Sequence, residues 1–182
     1  MARARSVPLA PRALFDLLRR PESRALYSPR VRALRTVERL GQGMAVVHTS
    51  HGGGGGGRAA AGARLAREFC VLHVPHRDDI TGQYAVACHS VHDARVPPGG
   101  PTRATLHASG WVLRPGPGGA ASTECTFVFQ AALEPGGAGA GRGDGGAAAD
   151  GLAWRNRLTA MGAEHALAID RLQRHVAEIA RG

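Results

Sequence analysis

The chain has 182 residues, 43% of them hydrophobic, which is enough for one domain with a buried core. It carries 23 basic and 14 acidic residues for a formal net charge of +9, and every basic residue is Arg. No apolar run approaches the roughly 20 residues that a membrane-spanning helix needs, and the basic N-terminus lacks the continuous apolar region of a secretory signal.

The positive charge points to an anionic partner, either a membrane surface or a nucleic acid. Aromatics make up only 4% of the chain, and no basic strand is interleaved with surface aromatics as single-strand binders require. A transient anionic membrane surface is therefore the expected partner, and nucleic acid is not. The cysteines are three, Cys70, Cys88 and Cys125, each inside an expected strand and none in a paired spacing. That excludes a disulfide framework and places the chain in a reducing, cytoplasmic compartment.

In chain order, residues 1–8 read as a frayed leader. Pro11 suits a first helical turn, and Leu14, Leu17 and Leu18 follow at helical spacing until Pro21 ends the helix. Glu22–Tyr27 reads as a short helical turn. Val31–Leu40 and Met44–Ser50 read as a hairpin turned by Gly41-Gln42-Gly43. Gly52–Gly57 is a run of six glycines inside a flexible loop over 52–63. It lacks both the GK[ST] ending of a P-loop and the spaced glycines of a dinucleotide fold, so no nucleotide cofactor is expected.

Glu68–Val74 and Tyr84–Val91 form a second hairpin. Phe69, Val71 and His73 share one face, and Cys70, Leu72 and Val74 the other. Both faces are apolar, so one should meet a core and the other an enclosed apolar space. A Pro/Gly connection leads to a strand over Arg103–Leu113, in which Gly110 marks a bulge or close approach. Thr123–Leu133 is the last strand, and 135–150 is a second flexible Gly/Ala insertion. A lid helix over 159–181 closes the chain. Its stripe, Met161, His165, Ala168, Leu172, Val176 and Ile179, steps by three and four residues.

Catalytic and metal constellations are weak. His73/His76 and His89/His92 stand three apart on strands, which puts each pair on opposite faces unless a bend at Pro75 intervenes. Cys88 and His89 are adjacent, so they also diverge, and Ser90 lacks a nucleophile elbow. Neither an enzyme nor a metal site is expected.

Helix, antiparallel strands and a final helix make an α+β domain. At this point the residues resemble a family. R-E-F-C-V-L (Arg67–Leu72), C-H-S-V-H (Cys88–His92), T-R-A (Thr102–Ala104), W-V-L-R-P (Trp111–Pro115) and C-T-F-V-F-Q (Cys125–Gln130) resemble, in order and spacing, the strand motifs of START domains. These are the lipid-transfer modules related to steroidogenic acute regulatory protein. Arg19–Val31 and Leu152–Leu158 resemble the family's P-E-x-R-x-x-W-D segment and its entry to the final helix, with Tyr27-Ser28 where the family has Trp-Asp. One subgroup carries this domain behind a kinesin-like motor, which this chain does not contain. The family's N-terminal helix and first strands have no counterpart upstream of Leu9, as in part of a larger protein or a sheet edge supplied otherwise.

The resemblance implies a helix-grip fold: a curved antiparallel sheet around an apolar tunnel closed by the C-terminal helix. It implies binding and transfer of one sterol, phospholipid or sphingolipid, without chemistry. The expected lining is Phe69, Val71, Tyr84, Val86, Trp111, Phe127 and Phe129, facing Met161, His165, Leu172 and Val176. The expected polar anchors are His73 and Arg103, with Arg67 and His107 as further candidates. The competing reading is an Arg-rich protein or nucleic-acid interaction module with no cavity.

Overall fold

The computed structural model describes residues 2–52, 67–97, 102–132, 167–179 and 181. The insertion expected at 135–150, most of the 52–63 loop, and the lid helix before residue 167 lie outside them.

The described elements are β1 (Ala2–Val7), α1 (Pro11–Leu18), a 3-10 turn (Pro21–Ser23) running into α2 (Arg24–Tyr27), β2 (Val31–Gly41), β3 (Met44–His51), β4 (Arg67–Asp78), β5 (Gln83–Ser90), β6 (Thr102–Arg103), β7 (Thr105–Leu106), β8 (Ser109–Gly116), β9 (Gly119–Val128), β10 (Ala131–Ala132) and α3 (Ala168–Ile179). Seven strands run antiparallel in the order β1-β9-β8-β5-β4-β3-β2, and β6 adds to β4 in parallel. The small strands β7 and β10 pair with each other. This is the expected α+β architecture, a large antiparallel sheet with a C-terminal helix.

Residues 1–8 are not a frayed leader. Ala2–Val7 pairs along its whole length with β9, from Ala2 opposite Val128 to Val7 opposite Thr123. An edge strand is held by main-chain hydrogen bonds, so the polar sequence ARARSV carries no apolar signature to betray it. The edge expected to go unsupplied upstream of Leu9 is thus covered on the β9 side. The Thr123 hydroxyl donates to the Leu9 carbonyl at 2.6 Å, which fixes the turn from β1 into α1.

The hairpin signals hold. Gln42 and Gly43 form the two-residue β2–β3 loop with φ of 50° and 79°, the positive pair that a right-twisted hairpin favours. The β4–β5 loop is shorter than expected, because β4 continues through Pro75 to Asp78. Past His73 the ladder to β3 has ended, so Pro75 costs no hydrogen bond on that side. The Asp78 carboxylate then accepts the Ile80 and Thr81 amides and closes the turn.

The single strands expected over Arg103–Leu113 and Thr123–Leu133 are each broken, into β6, β7 and β8 and into β9 and β10. Ser109 sits at the break. Its hydroxyl accepts the Gln130 amide at 2.9 Å and donates to the Gln130 carbonyl at 3.3 Å. Beside it, Gly110 has φ of 148°, and a Cβ there would stand 2.0 Å from the Val86 carbonyl oxygen. The close approach expected at Gly110 is therefore real.

One face of the sheet carries two apolar clusters. The first joins α1 (Leu14, Phe15, Leu18) and α3 (Ile169, Leu172, Val176) to Tyr84, Val86, Trp111, Leu113 and Phe127. The second joins Ala45, Val47, Phe69 and Val71 to Ala104 and Leu106. Among the described residues, the opposite face of β4 is covered by packing and not by the enclosed apolar space expected there. Val96 folds over Cys70 and Val46, and the Val91 amide bonds to the Cys70 carbonyl. Gly110→Ala should cost about 3 kcal/mol or more, since the added methyl meets backbone in a conformation only glycine adopts readily; urea denaturation will read it, and a stability within experimental error of the parent would contradict it.

Candidate functional site

The two clusters meet without fully closing. Phe129 packs against both, and a cavity opens at this seam. Its lining is Arg24 and Tyr27 from α2, Val86 and Cys88 from β5, Leu106 from β7, Ser109, Gly110 and Trp111 from β8, and Phe127 and Phe129 at the end of β9. The space is small, about 10 Å³ for the centre of a water-sized sphere, or about one water.

Its walls are aromatic. Trp111 and Phe127 lie 4.4 Å apart between centroids, and Tyr27 stands edge-on to Trp111 at 5.1 Å and to Phe127 at 6.1 Å. Of the residues expected to line a tunnel, Val86, Trp111, Phe127 and Phe129 meet here. Phe69 and Val71 lie in the second cluster, and Tyr84 lies under α1, stacked on Phe15 at 5.1 Å with its hydroxyl on Asp79. Leu172 and Val176 are buried in the first cluster, joined by Ile169, whereas Ile179 is 61% exposed. Met161 and His165 lie outside the described residues.

Arg103 is not at the seam. It projects to the other face of β4, pairs with the buried Glu68 at 3.2 Å and donates to the Val96 carbonyl at 2.9 Å. Glu68 also meets His48 at 2.9 Å. The group pins the 91–97 segment over β4. Arg67 is buried on β4, and His107 is exposed.

His73 is buried beside the seam and has two partners. Its Nε2 lies 3.0 Å from the Arg19 carbonyl, one of the acceptors left open at the end of α1. A carbonyl only accepts, so Nε2 carries the hydrogen and Nδ1 accepts the Cys88 thiol at 3.6 Å. Burial pushes the Cys88 thiol up and the His73 imidazole down, so both are neutral. The pair arises because His73 and Cys88 are direct cross-strand partners. Sequence spacing offers only Cys88 and His89, which diverge. His76 is exposed on the far side of β4, and among the described residues no three potential ligands are grouped for a metal ion.

Tyr27 and Arg24 are lining residues that sequence reasoning missed. The signal was present in the short aromatic turn where the family has Trp-Asp.

A model of the START domain matches residues 2–139. This chain belongs to the START family. The comparison does not reach the kinesin-like subgroup. No curated protein matches the chain in sequence. Among solved structures it is similar to the lipid transfer and protein localization domain of human StarD13, at 18% identity and TM-score 0.60, over 75% of this chain and 64% of that one. It is also similar to human StAR-related lipid transfer protein 5, at 16% identity and TM-score 0.65, over 94% and 75%. The Zhui aromatase/cyclase from Streptomyces matches at 14% identity and TM-score 0.57, over 100% and 95%. At these identities the likeness is one of fold.

Two outcomes follow from the site. Burial holds folded His73 below its ordinary pKa of 6.5, so below that pH the unfolded chain takes up a proton that the folded chain refuses. Stability should be level above pH 6.5 and decline as pH falls beneath it, and His73→Gln should flatten that decline in urea titrations at stepped pH. An equal decline in both proteins would show that His73 is not the cause. Arg103→Met should destabilise by about 2 kcal/mol, because it leaves Glu68 buried with a weaker partner set. Ligand retention per folded molecule should not change, and a selective loss of retention would return Arg103 to the anchor set.

Proposed function

We propose that this domain binds a single lipid at the seam between its two apolar clusters and carries it between membranes without covalent chemistry. The observation that supports this most is the seam itself. It is an aromatic-walled gap where the two apolar clusters meet, on the sheet face that the helices cover. The lipid-transfer proteins among the similar structures support the same reading. The enzyme among them makes chemistry the alternative, but a neutral Cys88 thiol beside a neutral His73 is poorly suited to act as a nucleophile.

A cavity of this size holds no lipid unless an element moves, and α3 is the proposed gate. It is the helix nearest the C-terminus, and it covers the first cluster with Ile169, Leu172 and Val176. Its side chain Gln173 donates to the Ser6 carbonyl on β1. Arg174 and Arg181 are exposed and suit an anionic, cytoplasmic membrane surface, at about 1 kcal/mol per Arg. No described helix is long and apolar enough to cross a membrane.

Native mass spectrometry of gently purified protein should show one bound lipid per chain, and a fluorescent sterol or phospholipid should titrate to the same stoichiometry. A folded, monodisperse protein that binds no lipid of any class would remove the main support. Leu172→Asp should lower retention and destabilise by about 3 kcal/mol or more, since it sets a charge among apolar side chains. A short crosslink between cysteines introduced at Ser6 and Gln173 should keep the ligand bound and stop transfer between vesicles. Transfer that persists with the crosslink complete would exclude α3 as the gate.

A further inference from the structure

The Trp111 side chain is 2% exposed, and its Nε1 is buried without a hydrogen-bond partner. An indole N–H only donates, and a buried one almost always finds an acceptor. The Tyr27 phenol oxygen is near enough for the indole N–H to pull the phenol's pKa down against the effect of burial, but the pair does not reach hydrogen-bond geometry. Both residues line the seam, and so does Arg24. Among the described residues no carboxylate lies within ion-pair distance of Arg24. Ser109, the seam's hydroxyl on β8, is already engaged by Gln130. The gap therefore brings together a buried indole N–H outside hydrogen-bond geometry, a phenol and a cation, with no described carboxylate paired to the cation.

We propose that this part of the gap is a polar subsite for a carboxylate, with Trp111 and Tyr27 donating to its oxygens and Arg24 balancing its charge, so that the preferred ligand is a long-chain carboxylic acid and not a neutral lipid. The proposal rests on the seam being the ligand site. Donor chemistry carries it: an ester carbonyl satisfies the indole N–H, but only an ionised acid also uses Arg24. Arg24 already acts on this space, since its charge opposes the effect of burial on the Tyr27 phenol and the Cys88 thiol.

The test uses the full chain and three fluorescent probes: cis-parinaric acid, its methyl ester, and diphenylhexatriene, which has no acceptor. The parent protein should bind the acid about tenfold more tightly than the ester. Arg24→Gln should erase that preference and leave diphenylhexatriene unchanged. Trp111→Phe keeps an aromatic ring and removes the N–H, so it should weaken acid and ester alike by about tenfold relative to diphenylhexatriene. Near-ultraviolet dichroism checks that each variant is folded. If Trp111→Phe fails that check, Tyr27→Phe takes its place, with the acid again losing affinity relative to diphenylhexatriene. Equal affinity for acid and ester in the parent, or an equal loss for all three probes in Arg24→Gln, overturns the subsite while leaving lipid binding standing. Failure of every probe to bind overturns both.

Discussion

Burial on both sides of β4 is the constraint on which the rest of the structure depends. A strand that carries Phe69 and Val71 on one face and Cys70 and Leu72 on the other cannot show either face to water without losing about 1.5–3 kcal/mol for each large side chain exposed. The two faces are covered in different ways. The first is covered by the second apolar cluster, which Ala104 and Leu106 complete. The second is covered by the 91–97 segment, held there by the Val91 amide, the buried Glu68 and Arg103. With that outer face spent on packing, the cavity described at the seam lies on the helix side, where the two clusters fail to merge.

Chain order then decides where the seam falls. Helices α1 and α2 sit between β1 and β2, so they cross the sheet from one edge to the other. Packing α1 against β5, β8 and β9 fixes the first cluster. Its C-terminal carbonyl is tied to β4 through His73, and that bond places α2 immediately beyond it. Tyr27 therefore arrives over Trp111 and Phe127 by short local connections and not by a long-range accident. The same geometry brings Arg24 to the lining of the gap.

Much of this was legible from residue pattern. Alternation located every large strand except β1, and helical spacing located α1 and α3. The glycine at the β8 close approach was readable because nothing else explains a glycine inside so apolar a strand. What pattern could not supply was register. The Cys88–His73 contact, the Arg103–Glu68 pair and the pocket membership of Cys88 all depend on which residue stands opposite which, and period-two alternation is blind to that. β1 was illegible for a related reason, since a strand held by main-chain bonds at an edge needs no apolar side chains. Tyr27 was overlooked because a four-residue helix has too little periodicity to announce a face.

The smallness of the seam bears on how such a domain could load a lipid. If α3 is the moving element, lifting it exposes Ile169, Leu172 and Val176, at a cost on the order of 5 kcal/mol or more in water. That corresponds to an open population on the order of one in several thousand, too rare for loading to be efficient in free solution. A bilayer surface changes the balance, because it accepts the same three side chains and offers anionic headgroups to the exposed arginines of the helix. Opening would then be coupled to membrane contact by the burial of one stripe in either of two places. On that proposal the apolar stripe of α3 serves two surfaces in turn, the first cluster when the helix is docked and the bilayer when it is lifted.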